Sequence, residues 1–415
     1  MTSSGIFAPT VEAARARIAA IRPAQYARSR NAIEGAVSYL SPYITHGFVS
    51  LPDVVAGVAS RYSLDIQHKL VYELGWREYF HHVGHHRGAG ILQSLHQGVL
   101  PDDAYATQVP TDVVEGRTSV PVIDQAVRTL YATGYLHNHA RMWLASYLVH
   151  LRKVHWRVGA DWLIAHLLDG DLASNHLSWQ WVAGTSSHKP YLFNAENVAR
   201  YAPPHWHSPG TALDTSYASL ESIAHQRKPV SGRPADGPGV LEPPRFGRPP
   251  DGVLSDPREW TGRDVWLVHP WALGAPPDGL PKDTVVVAWL PLDFHAAWPW
   301  SAARWAFVQT RMHALTSLTF ASDAALLAQL LGAARSVETT ANPHVSPFLP
   351  ACVRQRAAPR LFDELEELSP SFSHWWNRST RRVKQLADLP GLSSRLELQR
   401  QGHFFEDSLA TPTLA

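Results

Sequence analysis

The sequence predicts an all-helical half followed by a smaller parallel-sheet α/β half. Three observations predict it. From Pro9 to about Tyr201 apolar residues recur at helical spacing with no convincing strand. Pro229–Pro257 then holds eight prolines and five glycines, a composition that builds no core of its own. Beyond it, short β-branched runs alternate with helical stretches, the pattern of a parallel sheet with crossover helices. A chain of 415 residues also exceeds one ordinary core. The expected divisions are a helical domain over 1–225, a linker over 226–262, and an α/β domain with a helical C-terminal tail over 263–415.

Element by element, Ser50 and Pro52 read as an N-cap and a first-turn proline opening a helix toward Arg61. A second helical segment spans about Leu64 to His82. Val122, Ala126, Val127 and Leu130 share one helical face, as do Leu144, Leu148 and Leu151. In the second half, Asp264–Val268 and Thr284–Leu290 read as strands, followed by a helix over Ser301–Leu315. Leu318–Phe320 and Ser336–Thr340 then flank a helical Asp323–Leu331, with Ser322 as its expected N-cap.

Composition sets limits on function. The net charge is +1, so any nucleic-acid contact must come from a local basic patch. Cys352 is the only cysteine, which excludes intrachain disulfides and four-thiolate metal sites, and it is expected to be a small apolar residue. No apolar run approaches the length of a membrane span, and Met1–Ala20 lacks the features of a signal peptide; a cytoplasmic protein is expected. His81, His82, His85 and His86 are expected to form a solvated helix end rather than a metal site, for want of a nearby carboxylate partner.

One segment carries chemistry by itself. Asp169-Gly170-Asp171 precedes Leu172-Ala173-Ser174-Asn175 and then Trp179-Gln180-Trp181. Two acids separated by a glycine can serve one ligand from a turn, beside a helix N-terminus that suits polar groups. A capped turn leading into an aromatic core helix would read the same way. Three earlier segments shift the balance: Ser38-Tyr39-Leu40-Ser41-Pro42-Tyr43, Glu73-Leu74-Gly75-Trp76-Arg77-Glu78-Tyr79-Phe80, and Gly134–Met142.

These four ordered segments resemble the signature set of the photolyase/cryptochrome flavin domain, over roughly Tyr26 to Tyr201. The resemblance implies an all-helical FAD-binding domain of photolyase type. Asp169 and Asp171 would bond the flavin and ribose side of a folded FAD, with Arg141 holding Asp169 ionised. Tyr26 and the turn of Ser38, Leu40 and Ser41 would bind the pyrophosphate, although Val37 replaces the family's usual threonine. Asn175 falls within the cofactor set, and His176 would face flavin N5, where asparagine is common. Glu73, Trp76, Asn138, Met142 and Trp181 match the pocket for a flipped-out pyrimidine dimer; two indoles supply flat faces and a carboxylic acid can bond base carbonyls. Core packing of a helical bundle is the competing reading of these five. Trp179 and Trp156 match the first two members of the family's electron-transfer chain, with Tyr105 in the region of the third.

Departures from the pattern bear on DNA. His139 stands for a phosphate-contacting arginine, Ser178 for a glycine, and the stretch after Trp181 keeps only Lys189 as a nearby cation. Fewer phosphate contacts imply weaker duplex affinity. The resemblance therefore implies a light-driven photolyase acting on cyclobutane pyrimidine dimers in damaged DNA, or alternatively a cryptochrome-like photoreceptor signalling to a partner. The family's α/β domain precedes the flavin domain; here it follows. In the family it can carry an antenna chromophore, which no residue here identifies.

Overall fold

The computed structural model describes residues 6–232, 234–252 and 255–392. The helical half begins with Val11–Ala20, capped by Thr10 accepting from the Ala13 N–H. Leu51–Ala59 opens as expected on Ser50, whose side chain and that of Asp53 form a capping box, with Pro52 in the first turn. Histidines cap three further helices: the rings of His68, His137 and His155 accept the backbone N–H two residues on. These caps start Lys69–Arg87, Asn138–Ser146 and Trp156–His166. Leu172–Ala183 packs against all three. The described residues contain no helix long and apolar enough to cross a membrane.

Five strands form the sheet of the second half: β1 (Asp264–Val268), β2 (Val285–Pro291), β3 (Thr319–Ser322), β4 (Ser336–Thr340) and β5 (Val353–Arg356). All neighbours are parallel, in the order β3-β2-β1-β4-β5. β1 and β2 are nearly continuous apolar runs because both faces of the centre are covered. β5 escapes sequence reading, since Val353-Arg354-Gln355-Arg356 is polar and sits at the sheet edge. The helix after β3 is Ala324–Leu331, and its cap is Asp323, which accepts from Leu326, rather than Ser322. Cys352 is exposed just before β5, which corrects its expected apolar role.

The sheet docks on the helical half through one continuous core. Phe7, Ile18, Tyr43 and Phe48 share a buried cluster with Trp266, Val287, Trp289 and Phe307. Phe307 comes from Ala302–Leu315, where its ring lies 5.9 Å from Tyr43 and 5.3 Å from Phe48. The proline-rich stretch between the halves runs as a strap. Val230 donates to the Leu151 carbonyl, Val240 to that of Glu115, and Glu242 meets the His166 ring at 2.8 Å.

Strand order reverses on the two sides of β1, and ligands of open α/β sheets sit in the crevice at such a point, beyond the carboxyl ends of the strands. Here that crevice is filled from within. Trp271, after β1, stacks on His344, after β4, at 4.7 Å and 7°. His344 Nε2 accepts from the Leu172 N–H of the helical half. The switch point is therefore docked on the acid-glycine-acid turn.

Candidate functional site

Asp169-Gly170-Asp171 links Trp156–His166 to Leu172–Ala183. Asp171 caps the second helix, accepting from the Ser174 N–H at 2.8 Å. The same oxygen meets the His81 ring at 3.1 Å, and His344 Nε2 lies 3.8 Å from the other. Burial pushes the Asp171 carboxyl up, but His81, Arg77 and His344 outweigh it and hold the group well below the usual range. Asp169 is likewise buried, and the Arg141 guanidinium donates to both of its oxygens, at 3.0 and 2.8 Å. Burial raises this carboxyl too; Arg141, Ser41 and Arg77 overcome that and keep it ionised. Two buried carboxylates are thus stabilised side by side by basic groups and a hydroxyl from three other helices, with the His344 ring added from the sheet half.

Glu73 projects from Lys69–Arg87 and pairs with Arg30 Nε at 3.2 Å. The Arg30 carbonyl meets the His137 ring at 3.0 Å, tying this pair to the start of Asn138–Ser146. Tyr26 is half-buried beside Glu73, and desolvation followed by that charge pushes its phenol up, so it stays a neutral hydroxyl. A depression of about 130 Å³ lies next to it, lined by Arg17, Arg22, Gln25, Tyr26, Val37, Ser38 and Tyr39. Tyr39 holds a left-handed backbone, φ 52°, which turns the loop so that Leu40 enters the core and Ser41 starts a short helix. Leu40 N–H donates to the Ser38 hydroxyl.

The five expected pocket residues are placed differently from one another. Asn138 is exposed and its amide contacts Met142 Sδ at 3.5 Å. Trp181 is 39% exposed at the far end of Leu172–Ala183, tilted against Tyr191 at 5.7 Å. Trp76 is half-buried, and one indole face is stacked on Phe372 at 3.9 Å and 8°. Trp179 and Trp156 are buried; Trp156 donates to the Ser94 hydroxyl at 2.9 Å. Tyr105 lies beyond Trp156 with the His155 ring between them, at 6.1 and 5.8 Å.

His176 corrects an expectation. Its Nδ1 meets the Leu172 carbonyl at 3.0 Å and its Nε2 meets Asp161 at 2.9 Å. Both nitrogens are engaged, and the ring packs edge-on to Trp156 and Trp298, so nothing is left to face a flavin edge. Asn175, its neighbour, donates to the Ala160 carbonyl at 3.0 Å. The histidine run also departs from a solvated helix end. Of the four, only His85 is exposed; His81 serves Asp171, and His82 is buried beside His86 and Glu364. Tertiary structure supplies the carboxylate absent nearby in sequence, yet His82 Nε2 already accepts the Ser369 N–H. That leaves its proton on Nδ1, facing Glu364 at 3.9 Å, and no lone pair for a metal.

Sequence reasoning missed Arg30, Arg77, His81, His344 and Arg304. Arg77 was recoverable, lying one turn past Glu73 on the same helix. Nothing local signals His344 or Arg304, which reach the turn from more than a hundred residues away. Arg304 donates to the Gly170 carbonyl at 2.6 Å and to that of Ile164 at 3.2 Å. A Cβ on Gly170 would lie 2.4 Å from its Nη1, so only glycine leaves room for this grip.

The donor set fits a flavin dinucleotide. A buried, ionised carboxylate under an arginine can bond a polar ring edge, and a hydroxyl-lined depression with two arginines suits a pyrophosphate. Comparison with known proteins agrees. Residues 70–205 match the FAD-binding domain of DNA photolyase. The chain is 35% identical over 164 residues to the deoxyribodipyrimidine photo-lyase of Streptomyces griseus, covering 37% of this chain and 33% of that one. It is 35% identical over 186 residues to the enzyme of the same name from Thermus thermophilus, covering 42% and 43%. Cryptochrome DASH of Idiomarina loihiensis matches at 28% over 218 residues, covering 49% and 48%. The chain thus spans between a third and a half of the length of these relatives. Among solved structures, the photolyase of Sulfolobus tokodaii, with two FAD molecules, aligns at 24% identity and a TM-score of 0.42, over 57% of this chain and 54% of that one. Fold and site define a flavoprotein with a photolyase-type FAD-binding domain. Residues 70–205 carry the FAD-binding domain of DNA photolyase, and FAD is the cofactor.

Proposed function

We propose that this chain is a light-driven, FAD-dependent photolyase that repairs cyclobutane pyrimidine dimers in DNA. The observation that carries this reading is Trp181, a large indole left open to solvent on the helix that begins at Asp171. An indole face left open in this way offers a flat surface on which a base can stack. Glu73, Asn138 and Met142 lie on the two helices packed beside it, partly exposed, which suits a base flipped from a duplex.

When bound, FAD supplies the light-driven electron chemistry. The chain's own residues do the rest. Arg141 and Asp169 hold the ring edge; Asp171 and Asn175 complete that side. Tyr26, Ser38, Leu40 and Ser41 take the pyrophosphate. Trp179, Trp156 and Tyr105 form the outward relay, and the Glu73 carboxyl bonds the base carbonyls while Trp181 and Trp76 stack on the lesion. One observation favours a second reading, a cryptochrome-like photoreceptor: Phe372 covers a face of Trp76 that a lesion would otherwise use.

The experiment is blue-light repair of a thymine-dimer oligonucleotide by the purified, reduced holoprotein. Repair is expected, lowered by Glu73→Ala at unchanged FAD content. Trp181→Ala should weaken lesion binding by about 1–3 kcal/mol, the value of a stacking platform. FAD-replete protein that repairs nothing would transfer the assignment to the photoreceptor.

A further inference from the structure

The acid-glycine-acid turn presents its carboxylates to a ligand only while the backbone that carries them is held. Part of that hold is local. The Asp169 carbonyl accepts from the Thr45 hydroxyl at 3.2 Å, the Gly170 N–H donates to the Leu167 carbonyl, and the Asp171 carbonyl accepts the Asn175 N–H. Those partners lie in the helical half. The Gly170 carbonyl and the Leu172 N–H, which flank Asp171, are held from the sheet half instead, by Arg304 at 2.6 Å and by His344 Nε2 at 3.2 Å.

Leu172 opens its helix, so its N–H is one of the donors that no intrahelical carbonyl reaches. The capping side chain of Asp171 takes the Ser174 N–H rather than this one. His344 is fixed as the acceptor. Its Nδ1 meets the Asn342 side-chain oxygen at 2.7 Å, and because that oxygen also accepts the His344 N–H at 3.0 Å, the ring proton sits on Nδ1. Nε2 is left with its lone pair toward Leu172, and burial favours the uncharged ring. Trp271 lies flat on the imidazole at 4.7 Å and 7°, with Phe294 edge-on at 5.4 Å. β4 ends at Thr340, two residues before Asn342, so the sheet sets where the ring stands.

We propose that His344 is a positioning residue for the flavin: by holding the Leu172 N–H it fixes Asp171, and a ring of the sheet half thereby sets cofactor affinity in the helical half. The inference rests on the reading of Asp169 and Asp171 as flavin residues and is independent of the substrate. Without the acceptor, the turn spends part of its time in arrangements that do not bind, and apparent affinity falls by the fraction lost.

The test is FAD titration of the full-chain apoprotein carrying His344→Gln or His344→Asn. A glutamine amide oxygen reaches the place of Nε2, whereas asparagine is too short to meet Leu172. Both lose the stack on Trp271, so a ring that only filled space would weaken the two alike. His344→Asn is expected to raise the FAD dissociation constant about tenfold, with His344→Gln within about twofold of wild type. Leu172→Pro deletes the donor at a helix position that tolerates proline, and in that background His344→Asn should cost nothing further. Hydrogen exchange needs no variant: in wild-type apoprotein the Leu172 amide should exchange slowly, as a bonded amide does. Equal affinities in the Asn and Gln proteins, an undiminished Asn effect beside Leu172→Pro, or an unprotected Leu172 amide would each overturn the proposal. Retention of FAD by Asp171→Ala would instead overturn the flavin reading on which it rests.

Discussion

Single side chains join the two halves of this molecule, and Glu78 is the clearest case. It stands in the motif Glu73–Phe80, buried to 4% exposure, and accepts the backbone N–H of Leu361 at 2.5 Å and of Phe362 at 3.0 Å. Burial raises its pKa, opposed by those two N–H groups and by Arg360. Glu78→Ala would orphan two buried donors, each costing about 1–3 kcal/mol. A loss of about 3 kcal/mol in urea unfolding is expected, with FAD content retained in the folded fraction, since Glu78 touches no flavin-site residue. A change below about 1 kcal/mol would show that water reaches those amides in solution. The motif residue is thus a clasp for the C-terminal segment, a role that resemblance alone did not assign.

At the scale of elements, Ala302–Leu315 and Phe372–Thr380 act as parts of the helical half, although the first lies between β2 and β3 and the second follows β5 in sequence. Phe307 from the first, and Phe372 and Trp376 from the second, bury themselves against helices more than 200 residues earlier, and Arg304 reaches Ile164 and Gly170 at the turn. Gly75 accommodates one of these dockings, since a Cβ there would lie 2.6 Å from the Trp376 ring. A protease site inserted between Gly247 and Arg248 should therefore give two pieces that stay together. Co-elution without denaturant, and separation only on unfolding, is the expected result. The helical piece expressed alone should aggregate, because Tyr43, Phe48 and their neighbours would lose their cover. Separation of the nicked pieces in plain buffer would show that the shared core contributes little.

For the whole molecule, the distribution of buried histidines predicts the response to acid. Burial lowers His46 and His344 to about 3, and His137, His150 and His269 to about 4. An unfolded histidine titrates near 6.5. Between about pH 6.5 and 4 the unfolded chain therefore binds protons that the folded one does not, and stability falls as pH falls. Glu78 and Asp124, both raised by burial, work in the opposite sense, since what they contribute is lost as pH rises. Five histidines against two acids leave the net slope with the histidines. The urea midpoint should drop between about pH 7 and about pH 5, before the ordinary carboxylates titrate. A flat or rising midpoint across that range would mean the histidines are hydrated or paired in solution.

Much of this was present in the chain as written. Periodicity of 3.6 set the early helices, β-branched runs set β1 and β2, and Ser50 with Pro52 marked a helix start, because these depend on neighbours within a few residues. The acid-glycine-acid turn was visible from its own residues, and Arg141 joined it only through the resemblance of the ordered segments to the photolyase/cryptochrome flavin domain. Tertiary structure alone decided the rest. It turned His176 toward Asp161, gave His82 the Glu364 carboxylate, laid Phe372 over Trp76, and brought Arg304 and His344 to the turn. Each of these contacts joins atoms by packing rather than by spacing, and a sequence states only the spacing.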